Sequence, residues 1–250
     1  MIFTIRLAEM NISINSIYDE VYSLCRDYLT DDTPDFCIAT EPSDIEFERQ
    51  KNIQEALTEG IVPVDYPDSY LETLAVYRKI ADKMPEFGTF LMHGAVIAEG
   101  EKAFLFTASS GTGKTTHIRL WLDNIAGSYV VNGDKPLIHI GDKVTVYGTP
   151  WAGKEGMQKN TGVELCGIVF LERGIDNSIV KIPLPQVLPL FIQQTYRPND
   201  KQKLENILQL IRKLGSRVPL YRLKCNMQPD AAFTAYEALC AGTALKDNII

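Results

Sequence analysis

The sequence predicts an α/β fold: a mixed β core with flanking helices over residues 67–250, preceded by a small acidic α+β region over residues 1–66. Three observations predict it. Two apolar runs, Leu91–Ala98 and Ala103–Thr107, flank the polar turn Glu99-Gly100-Glu101-Lys102, as a β-hairpin does. The second run leads into a Gly-rich loop and then an amphipathic helix. Further short strand-like and helix-like stretches lie on either side of this unit.

In chain order, Phe3–Leu7 reads as a strand, Ile17–Tyr28 as a helix and Asp35–Ala39 as a strand. A charged helix follows near Ser43–Leu57, with Ser43 or Asp44 as its cap. Pro63 and Pro67 then punctuate the chain. Tyr70, Leu74, Tyr77, Ala81 and Met84 fall at helical spacing and predict an amphipathic helix that stops before Pro85. After the hairpin, Ile118, Trp121, Leu122 and Ile125 share one helical face, and Gly127 ends that helix. Tyr129–Val131 is a short strand. Pro136–Ile140 and Lys143–Tyr147 flank Gly141-Asp142, a two-residue hairpin signal. Leu165–Leu171, Ser178–Ile182 and Val218–Leu223 read as strands. Leu204, Ile207, Leu208 and Ile211 mark a helix, and Asp230–Leu239 a last one.

At 250 residues the chain is long enough to bury a sizeable core, and 45% hydrophobic with 23% charged residues is ordinary for a globular protein. No apolar run approaches the roughly 18 residues of a membrane span. Residues 1–10 have neither a basic nor a continuous apolar segment of the signal-peptide kind. The five cysteines lack metal-type CxxC spacing and sit in or beside apolar segments, as reduced thiols do. A cytoplasmic protein is the expectation. A net charge of −7 argues against coating nucleic acid. The charge is uneven: residues 1–70 carry 4 basic and 15 acidic side chains, residues 111–160 carry 6 and 4. The middle of the chain is therefore the place for an anionic ligand.

Ala108-Ser109-Ser110-Gly111-Thr112-Gly113-Lys114-Thr115 matches the phosphate-binding pattern G-x-x-x-x-G-K-[ST], except that Ala108 replaces the first glycine. The glycines let backbone N–H groups turn towards phosphate, and the helix N-terminus adds partial positive charge. Lys114 reaches the β- and γ-phosphates, and Thr115 offers a hydroxyl to Mg²⁺. If Ala98 pairs with Ala103, His93 lies opposite Ala108 at the mouth of this loop. A histidine in an apolar run is commonly a packed core residue, but this register gives it a role at the phosphate. Asp134 follows the Tyr129–Val131 strand, where a parallel neighbour would aim a carboxylate at Mg²⁺ or an attacking hydroxyl. His117, one turn into the helix, reads as a surface or packing residue, and His139 receives no role. Gly148–Lys154 reads equally as a plain turn around a buried tryptophan or as a second loop closing over phosphate, with Lys154 as its positive group.

Together these residues resemble the catalytic domain of the HPr kinase/phosphorylase family and its small kinase-like relatives, which share a P-loop core with phosphoenolpyruvate carboxykinases. The resemblance spans about residues 88–245. It rests on His93-Gly94, on Ser110-Gly111-Thr112-Gly113-Lys114-Thr115-Thr116 and on Asn132-Gly133-Asp134-Lys135-Pro136, with Gly148–Lys154 and Phe170-Leu171-Glu172-Arg173 similar to the smaller relatives. It implies a mixed β core with flanking helices, ATP and Mg²⁺ as cofactors, and transfer to a hydroxyl, often a serine of a protein or peptide. His93 would be the active-site histidine, and Lys114 and Thr115 the phosphate and metal residues. Relatives of this kind often assemble, which implies a homo-oligomer. The family commonly carries two adjacent aspartates where this chain has Gly133-Asp134. There is no counterpart to the C-terminal segment that engages HPr, and the chain is too short for a complete carboxykinase.

The leading expectation is thus an ATP- and Mg²⁺-dependent kinase with catalytic Asp134, His93 and Lys114. The nucleotide would lie on Ala108, Ser109, Ser110, Gly111, Thr112, Gly113, Lys114, Thr115 and Thr116, with Lys154 and Arg173 stabilising transferred charge. Thr115 and Asp134 would serve the metal. The acceptor would be a hydroxyl of a protein, peptide or small molecule, with no nucleic-acid or membrane partner. The alternative is a nucleotide-binding regulator with little or no catalysis, motivated by Gly133; on that reading Gly133→Asp would create activity. A third reading gives the acidic first 60–70 residues to recognition of a basic protein or peptide, either alone or as the kinase's docking part.

Overall fold

A computed structural model describes residues 1–109 and 111–244 of the chain. The chain divides into two compact units, Met1–Met84 and the remainder from Pro85 onward.

In the first unit β1 (Ile2–Leu7) and β2 (Met10–Asn15) form an antiparallel hairpin that pairs Ile5 with Ile12. Its turn is made by Ala8 and Glu9 at φ 46° and 69°. Left-handed turns normally announce themselves by glycine or asparagine, so β2 is absent from the sequence-based expectation. β3 (Phe36–Ala39) adds in parallel beside β2. The helix expected over 17–28 is shorter, α1 (Asp19–Leu24), followed by a 3₁₀ turn over Arg26–Tyr28. The charged helix is α2 (Pro42–Glu59), where the Asp44 carboxylate accepts from the Glu41 N–H at 3.0 Å and Gly60 closes the helix at φ 71°. α3 (Asp68–Lys83) buries Leu71, Ala75, Val76 and Ile80. Glu72 on its inner face is wholly buried, and its carboxylate accepts from the N–H groups of Ile17 (2.6 Å) and Tyr18 (2.8 Å) and from the Thr40 hydroxyl. A buried carboxylate satisfied this way ties α1 and the end of β3 to α3.

The second unit is an α/β body on a nine-stranded mixed sheet. At its centre β5 (Ala95–Glu99) and β6 (Lys102–Thr107) form the expected hairpin with Ala98 opposite Ala103. β7 (Ser128–Asn132) lies antiparallel on the far side of β5, so it runs in the same direction as β6. It is therefore the next-but-one strand to β6 and not its neighbour. On the other side of β6 lies the long β10 (Gly162–Arg173), parallel to it, and then β12 (Leu220–Cys225), also parallel, with β11 (Ser178–Ile182) antiparallel at the edge. β4 (Thr89–Leu91), β8 (Leu137–Ile140) and β9 (Val144–Tyr147) form a branch that joins the start of β10, with Gly141-Asp142 in the β8–β9 turn.

Strand alternation sends side chains to two apolar layers. Phe104 and Phe106 pack with Trp121, Ile118, Leu223 and Leu239 under α4 (Lys114–Asn124) and α7 (Asp230–Ala244). Leu105, Phe170 and Phe191 pack with Ile207, Ile211 and Leu214 on the opposite face, under α5 (Leu184–Gln194) and α6 (Lys201–Arg217). The sequence reading assigned no element over α5, because Pro185 and Pro189 break the usual helix pattern; Pro185 falls in the first turn, where proline is tolerated, and Pro189 lies inside the helix. Among the described residues no helix is long and apolar enough to cross a membrane.

Candidate active site

Three chain segments converge at one end of the sheet: the loop leaving β6, the segment leaving β7 and the segment entering β5. The expected strand Leu91–Ala98 is broken here. β4 pairs with β8, β5 pairs with β6, and Met92–Gly94 crosses between them. Gly94 makes the crossing possible, because a Cβ there would meet Leu105 Cδ2 at 2.8 Å and Phe106 O at 3.0 Å. His93 lies just beyond the hairpin ladder, and its carbonyl accepts from the Thr107 hydroxyl at 2.8 Å.

The Gly-rich loop has the conformation its sequence demands. Gly111 (φ 73°) and Gly113 (φ 118°) occupy the left-handed region, and a Cβ at either would point into open space. Ala108 does not have positive φ and is buried, so alanine fits where the pattern has its first glycine. Helix α4 starts at Lys114, leaving the N–H groups of its first turn without intrahelical acceptors. Lys114 Nζ donates to the Ala108 carbonyl at 3.0 Å. Burial pushes its ammonium down and the Asp134 charge pushes it back up, leaving it below the usual lysine value. Thr112 Oγ1 donates to the Ser109 carbonyl at 2.8 Å. Ser110 lies outside the described residues.

Asp134 is held on all sides. Its backbone N–H and that of Lys135 donate to Asn132 Oδ1 at 2.9 and 2.7 Å, and its carbonyl accepts from Gly94 N–H at 2.9 Å. Asn132 is itself wholly buried and donates to the Thr149 carbonyl at 3.0 Å. Asp134 Oδ1 stands 2.9 Å from His93 Nε2, and His93 Nδ1 stands 3.0 Å from Gln194 Oε1 at the end of α5. Burial alone would raise the Asp134 carboxyl. The His93 hydrogen bond and the charges of His93, Lys135 and Lys114 outweigh it and hold the carboxyl below the usual range, so Asp134 is ionised at neutral pH.

The loop Gly148–Lys154 is more than a plain turn. Thr149 meets Asn132, and a Cβ on Gly153 would lie 3.0 Å from Asp134 Cβ, so this loop packs directly on the Asp134 side chain. Trp151 in it is buried, and Lys154 is exposed. His93, Lys114, Thr115, Thr116, Asp134 and Lys154 all line one cleft of about 410 Å³. Arg173 lies outside it, where its guanidinium donates to the loop carbonyls of Gly111 and, at 3.5 Å, Thr112. Ala108 and Ser109 support the loop through their carbonyls. Sequence reasoning assigned no role to Gln194 and Asn132. Gln194 had no signal, being brought from a segment 101 residues away.

The cleft suits a nucleoside triphosphate with Mg²⁺. It offers unpaired helix N–H groups, a lysine ammonium and an ionised carboxylate around one space. Among the described residues no group of three or more His, Cys, Asp or Glu could hold a metal by itself. Mg²⁺ characteristically takes one or two protein oxygens and completes its shell with phosphate and water; Thr115 and Asp134 are among the side-chain oxygens that line the cleft, with Thr116 and Glu155.

Position 133 is where the resemblance would have placed a second aspartate. A Cβ on Gly133 would meet the Ala152 carbonyl at 2.8 Å and the Met157 carbonyl at 3.4 Å. Loop 148–157 thus fills the space an aspartate side chain would need at this position, so the expectation that Gly133→Asp creates activity meets a steric obstacle. The substitution should instead cost about 1–3 kcal/mol of stability and bring no turnover, as a thermal melt and a phosphate-release assay on the variant would check.

His117 is buried beneath the loop rather than on the surface. Its Nε2 accepts from the Trp121 indole N–H at 3.1 Å, so the neutral ring carries its proton on Nδ1, which has no partner. Burial pushes its pKa down from 6.5 to about 4. The unfolded chain then binds the proton more readily than the folded chain. Stability should fall by about 3 kcal/mol as pH drops from 6.5 through 4. Urea unfolding across that range checks it, and His117→Gln should flatten the slope.

No family model and no curated protein matches the chain. Among solved structures, the Hpr(Ser) kinase/phosphatase from Coxiella burnetii is similar at 12% identity and a TM-score of 0.37, over 62% of this chain and 91% of that one.

Proposed function

We propose that the chain is an ATP- and Mg²⁺-dependent phosphotransferase that moves the terminal phosphate to a hydroxyl of a peptide, protein or small molecule. The observation that carries this reading is the His93–Asp134 pair, set in the same cleft as Lys114 and the first turn of α4. A phosphate loop alone binds nucleotide. An ionised, oriented carboxylate beside it supplies a base for the acceptor.

On this reading the backbone N–H groups and Lys114 hold the phosphates, and Asp134 accepts the hydroxyl proton. The acceptor oxygen forms a bond to the terminal phosphorus, the bond to the bridging oxygen breaks, and ADP leaves with that electron pair. Lys114 neutralises the charge that develops on the leaving phosphate. His93, fixed by Gln194, keeps Asp134 aimed and ionised. Thr115 and Asp134 would hold Mg²⁺, which would supply further charge neutralisation. Lys154 lines the same cleft and would meet negative charge there.

Incubating the protein with Mg²⁺, ATP labelled at the terminal phosphate and a serine-containing peptide library tests the reading. Labelled peptide, or slow release of labelled phosphate to water, is expected. A regulator that binds nucleotide without chemistry is the second reading, favoured by the space that loop 148–157 fills beside Gly133. Tight nucleotide binding with neither product would select it.

A further inference from the structure

After α2 the chain of the first unit runs Ile61-Val62-Pro63-Val64, and Leu57, Ile61, Val62 and Val64 are between 54% and 86% exposed. Single exposed apolar side chains are ordinary. Here four fall within eight residues, and the Ile61 N–H, donating to the Ala56 carbonyl at 2.9 Å, folds the segment back on the helix. Gathered apolar surface of this kind marks an interaction site. Beside it lies a hollow of about 230 Å³ lined by Ile53, Pro63, Val64, Tyr66 and Leu71. Asn52 Nδ2 donates to the Val64 carbonyl at 2.9 Å and Arg49 to the Tyr66 carbonyl at 3.4 Å, so the 63–66 segment is stitched to α2. A hollow formed in advance takes an apolar side chain without first ordering its own walls.

The rim of the hollow is acidic. Arg49 meets Glu46 at 3.3 Å, Asp65 at 3.4 Å and Asp68. Three carboxylates around one guanidinium leave two negative charges in excess, and the Asp65 side chain is 98% exposed. Residues 46–68 together carry 6 acidic and 2 basic side chains.

We propose that this face of the first unit docks a protein or peptide segment in which a large apolar side chain is flanked by Lys or Arg. The apolar side chain enters the hollow and its neighbours cover Val62 and Val64, while the flanking cations meet Asp65 and the carboxylates around Arg49. Charge selects this occupant over the others. A two-fold contact sets a patch against its own copy, so a second copy of the chain would bring two acidic rims together. An anionic lipid surface or a nucleic acid meets the same repulsion. The basic partner expected of the acidic N-terminal region is thereby given a place. The site belongs to the first unit alone and does not depend on phosphoryl transfer.

The test is selection of a randomised nonapeptide library on the full chain, without nucleotide. Enriched sequences are expected to carry a large apolar residue with Lys or Arg on either side. A synthetic peptide of the enriched sequence should bind the full chain in fluorescence anisotropy, more weakly as salt is raised. Its affinity should fall at least about tenfold for Asp65→Lys, which reverses an exposed charge, and for Val64→Ser, which removes apolar contact at the hollow. Both side chains are exposed, so the two variants should melt as the parent does. A library that enriches nothing, or enriches sequences without basic residues, would overturn the proposal, as would unchanged affinity in either variant. A dimer of the full chain that Val62→Asp dissociates would give the face to a second copy and overturn it too.

Discussion

Asp134→Asn should reduce phosphoryl transfer by about 10³-fold while changing nucleotide affinity by no more than a few fold. A positioned general base contributes roughly 10² to 10⁴ in rate; of the two carboxylates lining the cleft, Asp134 is paired with His93, whereas Glu155 is paired with Arg119. The amide is nearly isosteric and keeps an oxygen for hydrogen bonding. The backbone bonds that fix residue 134, to Asn132 Oδ1 and Gly94 N–H, do not involve its side chain. The variant should therefore fold as the parent does and lose the carboxylate charge that serves as proton acceptor and would help hold Mg²⁺. Single-turnover kinetics with a saturating acceptor would separate this loss from any effect on binding.

Lys114→Ala should abolish measurable turnover and weaken ATP binding by about ten- to a hundredfold. The ammonium sits at the start of α4, partly buried, and donates to the Ala108 carbonyl in the free protein. Phosphate must draw it from that carbonyl, so its charge is exchanged between two partners. Removing it takes away the principal cation of the loop and a positive neighbour of Asp134. Its loss should also reduce the salt dependence of ATP binding, since one charge fewer meets the phosphates. Affinity measured at two ionic strengths reads both effects together.

Much of this site is legible in the sequence, for reasons that are local. Gly111 and Gly113 announce positive φ because no other residue adopts it as readily. The hairpin register follows from two apolar runs around a short polar turn, and Ala98 does face Ala103. Asp134 is found by its place after a strand downstream of the loop, although β5 intervenes between that strand and β6. What the sequence conceals is long-range or against propensity. The β1–β2 turn uses Ala8 and Glu9 in left-handed conformations, α5 contains Pro189, and Gln194 reaches His93 from its end. None of these carries a local pattern. The strand that ran from Leu91 to Ala98 in the sequence reading breaks at Gly94, where the side-chain-free residue allows the backbone against Leu105 and Phe106. That break brings His93 to Asp134.

Loop 148–157 closes the space beside Gly133, packs Gly153 on Asp134 and brings Glu155, paired with Arg119, to the lining of the same cleft.

The most direct test compares wild type with Asp134→Asn in Mg²⁺ and ATP, measuring nucleotide binding by calorimetry and phosphate release over hours in the same samples. Binding by both proteins, with phosphate released only by wild type, is the predicted result. No binding by wild type, or equal release from both proteins, would contradict a phosphoryl-transfer site built on this loop and this carboxylate.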